Sequence, residues 1–92
     1  MLLLVRNRVK DAARWKEAFD AQSAAGAAAG MTVKHVWRSV DAPDQVFFLL
    51  EVEDRARAEA YMASPEAAAV GVAAGALDGE VHFLEAFPPS GA

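Results

Sequence analysis

Two runs of alternating side chains, residues 31–40 and 45–53, flank the tetrapeptide Asp41-Ala42-Pro43-Asp44. Alternation marks a strand with two unlike faces, and Asp and Pro at the join supply turn chemistry. The pair therefore reads as a β-hairpin. With Val40 opposite Gln45, one face pairs Trp37 with Phe48, His35 with Leu50 and Val33 with Val52. The other pairs Lys34 with Glu51, Val36 with Leu49 and Arg38 with Phe47. This register gives a coherent apolar face and an opposite-charge cross-strand pair, and a slip of one residue would lose both. A hairpin so specified commits the chain to an antiparallel sheet.

The flanking segments fill in the rest. Residues 2–9 are rich in Leu and Val and read as a first strand. Asp11 stands as an N-cap before Ala12, Trp15, Phe19 and Gln22, whose spacings of three, four and three put them on one helical face. Arg14, Lys16, Glu17 and Asp20 take the opposite face. The helix runs into Ala and Gly and is expected to end at Gly30. Asp54 caps a second helix over 55–63, with Ala58, Tyr61 and Met62 inward. Ser64-Pro65-Glu66 opens a third, reaching about residue 74 and stopping at Gly75. Asp78-Gly79 reads as a turn, 80–87 as the last strand and 88–92 as a tail, with 1–87 forming one domain. The order β-α-β-β-α-α-β is the ferredoxin-like split βαβ of the α+β class, a four-stranded antiparallel sheet with helices on one side. The bare face would keep Phe47, Leu49 and Val36. A half-apolar bare sheet calls for a partner, and a second copy related by two-fold symmetry is the expected one.

Composition narrows the function. Of 92 residues, 50 are apolar, but 22 of those are alanine, so bulky side chains are scarce in a domain whose core is already marginal. With no cysteine, disulfides, thiolate metal sites and a cysteine nucleophile are excluded. A net charge of −4 argues against nucleic acid as a partner. Arg6, Arg8, Lys10, Arg14 and Lys16 gather near the N-terminus and read as a solvated basic edge. The longest apolar runs stop short of the roughly 20 residues a bilayer requires. The apolar stretch 2–5 is too short for a signal sequence, and a cytoplasmic protein without membrane contact is expected.

Trp15, Phe19, Trp37, Phe48 and Tyr61 form the aromatic set of the expected inner face. They are core residues first, but large rings beside many alanines can leave space, and pockets of aromatic lining with a few polar groups bind small ligands. Asn7, Gln22, His35 and Tyr61 would be those polar groups. His35, set among Trp37, Phe48 and Leu50, reads either as a base kept neutral by burial or as a hydrogen-bonded core histidine. His35 and His82 with scattered carboxylates do not make a metal spacing, and no metal site is expected. The serines lack a glycine elbow, and residues 26–30 (GAAAG) form a helix end rather than a phosphate loop.

The segments LVRNRVKDAARWKEAFD (4–20), VWRSVDAPDQVFFLLEVED (36–54), ASPEA (63–67), and AG (74–75) followed by VHFLEA (81–86) resemble the dimeric α/β-barrel superfamily. The chain is most similar there to small bacterial cyclase-like and antibiotic-biosynthesis-monooxygenase-like proteins. The resemblance implies a homodimer whose two sheets form a barrel, with a cavity between sheet and helices in each protomer. It implies a small apolar ligand, aromatic or polyketide-like, and chemistry that needs no cofactor, either oxygenation or cyclisation. His35 would then serve as base, Asn7 or Tyr61 as hydrogen-bond donor, and Trp15 and Trp37 as stacking walls, with Phe19, Gln22, Phe48 and Leu50 completing the substrate site. Such proteins often carry His where Asn7 stands, Tyr where Ala12 stands, and Arg in the second half of the first helix. This thinning of polar groups leaves open a non-catalytic, ligand-binding or accessory dimer.

Overall fold

The computed structural model describes residues 1–87, and the expected tail at 88–92 lies outside the described residues. The elements run β1 (Leu2–Val9), α1 (Ala12–Ala21), α2 (Ser23–Ala28), β2 (Met31–Arg38), β3 (Gln45–Val52), α3 (Arg55–Met62), α4 (Pro65–Ala73) and β4 (Ala76–Leu84). The sheet order is β2-β3-β1-β4, and all three pairings are antiparallel. This is the α+β, ferredoxin-like arrangement that the element order implies.

The helix starts follow from local chemistry. Asp11 Oδ1 accepts from the backbone N–H of Ala13 (3.0 Å) and Arg14 (3.2 Å). Asp54 Oδ1 accepts from Arg57 N–H, and Ser64 Oγ from Ala67 N–H, with Pro65 at the first turn of α4. Each cap satisfies donors that the first turn leaves without an intrahelical partner. Gly30 and Gly75 adopt φ of 81° and 78° where the chain leaves α2 and α4. Asp11→Ala is expected to destabilise the fold by about 1 kcal/mol, seen as a fall of roughly 4–8 °C in the melting temperature. An unchanged melting curve would show that the cap contributes nothing.

Three expectations need correction. The first helix is two pieces, α1 and α2, joined at Gln22. The last strand begins at Ala76 rather than Glu80 and ends at Leu84, so Asp78-Gly79 lies inside it. Tertiary contacts account for that. Asp78 takes ion pairs from Arg8 (2.8 Å) and Arg6 (3.7 Å), and a Cβ on Gly79 would strike the Asn7 amide oxygen and the Arg6 carbonyl.

The third correction is the hairpin register. Val33 faces Leu50, but His35 faces Leu49, Val36 faces Phe48 and Trp37 faces Phe47. The register shifts between Val33 and His35, leaving Lys34 as the extra residue of a β-bulge. Because side chains alternate with period two, one inserted residue exchanges the faces of everything beyond it. Val36 turns toward the helices, and His35 and Trp37 turn to the bare face. The Lys34–Glu51 ion pair survives at 3.0 Å.

The inner face packs as two clusters. Leu3, Val5, Met31, Leu50, Val52 and Ala58 form one, and Val9, Trp15, Val46 and Ala74 the other, with Phe48 packed against both. The outer face divides differently. At one side Arg6, Arg8, Asp78 and Glu80 form an ion-pair network, with the His82 ring hydrogen-bonded to Glu80 at 3.2 Å. The Arg6 guanidinium, and after it the His82 ring, hold the exposed Glu80 carboxyl below its usual range. The expected basic edge is thus partly neutralised, and Lys16 is paired with Asp20 as well. Beside it lies an apolar patch, with Leu4 and Phe47 flanking Leu49, and with Leu2, Leu84 and Trp37 exposed to 37%, 39% and 47%. Among the described residues no helix is long and apolar enough to cross a membrane.

Candidate functional site

A cavity of about 210 Å³ lies on the inner face, between the sheet and the helices. It exists because the helices that cover it are short of side chain. Neither α2 nor α4 contributes a buried residue, and α4 with its C-cap Ala74 faces the sheet with Ala67, Val70, Gly71 and Ala74, of which only the cap is buried. These are at i, i+3, i+4 and i+7, one side of a helix, and their side chains are too small to close the gap between the two core clusters.

The sheet supplies the floor: Val5 and Asn7 from β1, Met31 and Val33 from β2, Phe48 and Leu50 from β3. From the α1–α2 arm come Trp15, Phe19, Gln22, Ser23 and Gly26, and from α3 come Tyr61 and Met62. The aromatic wall is continuous. Trp15 stacks on Phe19 with centroids 4.8 Å apart, and Phe48 sits 4.8 Å from Phe19 and 5.7 Å from Trp15. Such offset and tilted pairs hold one another in place. Trp15 is 4% exposed, and the other two rings are half-buried.

Asn7, Gln22, Ser23 and Tyr61 are the polar groups on this wall. Ser23 Oγ donates to Asp20 O at 3.0 Å. Among the described residues, the side chains of Asn7, Gln22 and Tyr61 make no hydrogen bond to the protein. Asn7 is placed by β4, because Gly79 opposite it leaves the space into which its amide oxygen folds. Tyr61 is placed by the turn after α3, where Ser64 Oγ donates to Tyr61 O at 2.6 Å.

Of the residues singled out from sequence, the structure brings Asn7, Trp15, Phe19, Gln22, Phe48, Leu50 and Tyr61 around one cavity. It does not bring His35 or Trp37 there. These two stack on each other, 5.3 Å apart and 22° from parallel, on the exposed outer face. The bulge at Lys34 is the cause. Met31, Val33, Met62, Val70 and Gly71 line the cavity without having been singled out. The 3.6-residue spacing of the small residues in α4 was the signal that could have found its part of the wall.

The consequence is chemical. Among the described residues, no ionisable side chain other than the Tyr61 phenol lines the cavity. The wall offers apolar surface, aromatic faces and a few neutral hydrogen-bonding groups, which suits an uncharged, mostly apolar molecule. Among the described residues, no three His, Asp or Glu side chains come together in a group that could hold a metal.

No protein-family model matches this chain, and no curated protein does. Solved structures match closely in shape. A variant of SnoaB, a cofactor-independent oxygenase from Streptomyces nogalater, aligns with a TM-score of 0.69 at 17% identity, covering 92% of each chain. A Bacteroides thetaiotaomicron protein, provisionally named an antibiotic biosynthesis monooxygenase, aligns with a TM-score of 0.66 at 18% identity, covering 98% of this chain and 91% of its own. A Deinococcus radiodurans protein of the same provisional name gives 0.66 at 12%, covering 94% and 92%. The fold is therefore shared with these antibiotic-biosynthesis-monooxygenase-like structures. Identities this low carry the fold and leave the activity to the site.

Proposed function

We propose that this protein binds a small, uncharged, largely apolar molecule in the inner-face cavity, and that it does so as a homodimer in the cytoplasm. One observation carries the reading: a cavity of about 210 Å³ between two core clusters, walled by Trp15, Phe19 and Phe48 and edged by Asn7, Gln22 and Tyr61. An apolar cavity of about 150 Å³ accepts benzene, so this one has room for a substituted ring or two fused rings. The homodimer is supported by the apolar outer face, where Leu2, Leu84 and Trp37 lie open to solvent.

A second reading, cofactor-independent oxygenation or cyclisation of an aromatic or polyketide-like substrate, is favoured by the likeness in fold to the Streptomyces oxygenase. In that chemistry a deprotonated phenolic substrate supplies the electrons that reduce dioxygen. Asn7 and Tyr61 would donate hydrogen bonds to the developing oxyanion, and the aromatic wall would keep the site dry. The cavity offers no histidine as base, which favours binding without turnover. Dioxygen uptake with a dihydroxynaphthalene, above the protein-free rate, decides between the two.

The two tryptophans make the binding test internally controlled. In a titration of nitrogen-labelled protein with 1-naphthol, the Trp15 indole resonance is expected to move and the Trp37 indole resonance to stay. Asn7→Ala is expected to weaken 1-naphthol about 3- to 10-fold, the worth of one hydrogen bond, with little effect on naphthalene, which lacks the hydroxyl. If Trp37 moves instead, or neither indole does, the cavity is not the ligand site.

A further inference from the structure

Among the described residues, the glycines answer to different causes. Gly30 and Gly75 hold positive φ. Gly79 makes room for the Asn7 amide. At Gly26 a Cβ would lie in ordinary contact, 3.6 Å from Met31 O. Gly71 has none of these reasons. It lies inside α4 without a positive φ, and a Cβ there would meet nothing within 4 Å. Apart from proline, glycine is the least favourable residue in a helix interior, so neither the helix nor its packing accounts for it. Its place does: Gly71 sits on the cavity wall, on the inward side of α4 between Ala67 and Ala74.

We propose that Gly71 determines the size of ligand the cavity accepts, leaving the α4 wall open so that a fused two-ring molecule fits where any larger side chain would restrict the site to one ring or close it. The inference rests on the ligand-binding reading above and adds to it the residue that sets the limit. The volumes are in proportion. A carbon takes up about the space of a water, ~30 Å³. Alanine would remove roughly one such share from the 210 Å³. The four side-chain carbons of leucine would fill about half of it and leave less than the ~150 Å³ that holds benzene. No neighbouring atom needs to move to admit the Cβ of either.

The test compares phenol and 1-naphthol on the wild-type protein, Gly71→Ala and Gly71→Leu, with the Trp15 indole resonance reporting binding. Gly71→Ala is expected to bind phenol within about twofold of wild type and 1-naphthol several-fold more weakly. It should also melt about 4–8 °C higher, because alanine is the better helix former. Gly71→Leu is expected to lose 1-naphthol by a hundredfold or more. Gly71→Leu binding 1-naphthol within twofold of wild type, while wild type binds it well, would overturn the role of Gly71 and leave the ligand site standing. Wild type binding neither probe would overturn the ligand site itself, and the role of Gly71 with it. The alanine variant, which has every reason to fold, keeps the test valid should the leucine variant unfold.

Discussion

Trp15→Ala is expected to destabilise the protein by about 3–5 kcal/mol, the range for truncating a large buried aromatic. Trp15 is the largest buried side chain of the cluster it shares with Val9, Val46 and Ala74, and it stacks on Phe19 and touches Phe48. Its loss would join the existing cavity to a second void and leave both rings without their partner. Against the roughly 5–15 kcal/mol that holds a small domain together, this is a large fraction. The melting temperature should fall by at least about 12 °C. Thermal and urea unfolding at one fixed protein concentration would check it, since association makes stability depend on concentration. A loss below about 1 kcal/mol would mean that Trp15 packs loosely and that the aromatic wall is not preorganised.

The second large effect lies on the opposite face. Leu49 sits on an interior strand of the sheet, between Leu4 of β1 and His35 of β2. If two copies pack through this face, Leu49→Arg places an unpaired charge at its centre. Uncompensated buried charge costs about 3 kcal/mol or more, so association should weaken more than a hundredfold. Sedimentation at micromolar concentration is expected to give twice the 9.8 kDa chain mass for wild type and the single-chain mass for the variant. Wild type sedimenting as a single chain would end the homodimer reading. Because Leu49 and the cavity are on opposite faces, the variant should keep its 1-naphthol site.

Much of the architecture is legible in the residues. The caps at Asp11, Asp54 and Ser64-Pro65 depend only on their own neighbours along the chain, and all three stand where the sequence places them. The same holds for β1 and for the glycine exits at Gly30 and Gly75. Seven of the nine residues singled out for a site do converge, because Trp15, Phe19 and Gln22 share a helical face and Asn7, Phe48 and Leu50 an inner sheet face. The two that do not, His35 and Trp37, lie beyond the bulge. Val36, Trp37, Phe47 and Phe48 are all large and apolar, so neither face of the hairpin reads clearly as the buried one, and the alternation cannot register one extra residue.

The sequence by itself determined the helix caps, the strand order along the chain and hence the antiparallel sheet with helices on one side, though not the break at Gln22 or the start of β4, because turns, caps and periodicity act over a few residues. Only the tertiary structure decided the faces and the void. The bulge at Lys34 sends His35 and Trp37 outward. The pairing of Asp78 with Arg6 and Arg8 extends β4 back to Ala76. The cavity opens where the small residues of α4 meet the seam between two core clusters. Each of these depends on groups brought together from distant parts of the chain, where local propensity has no say.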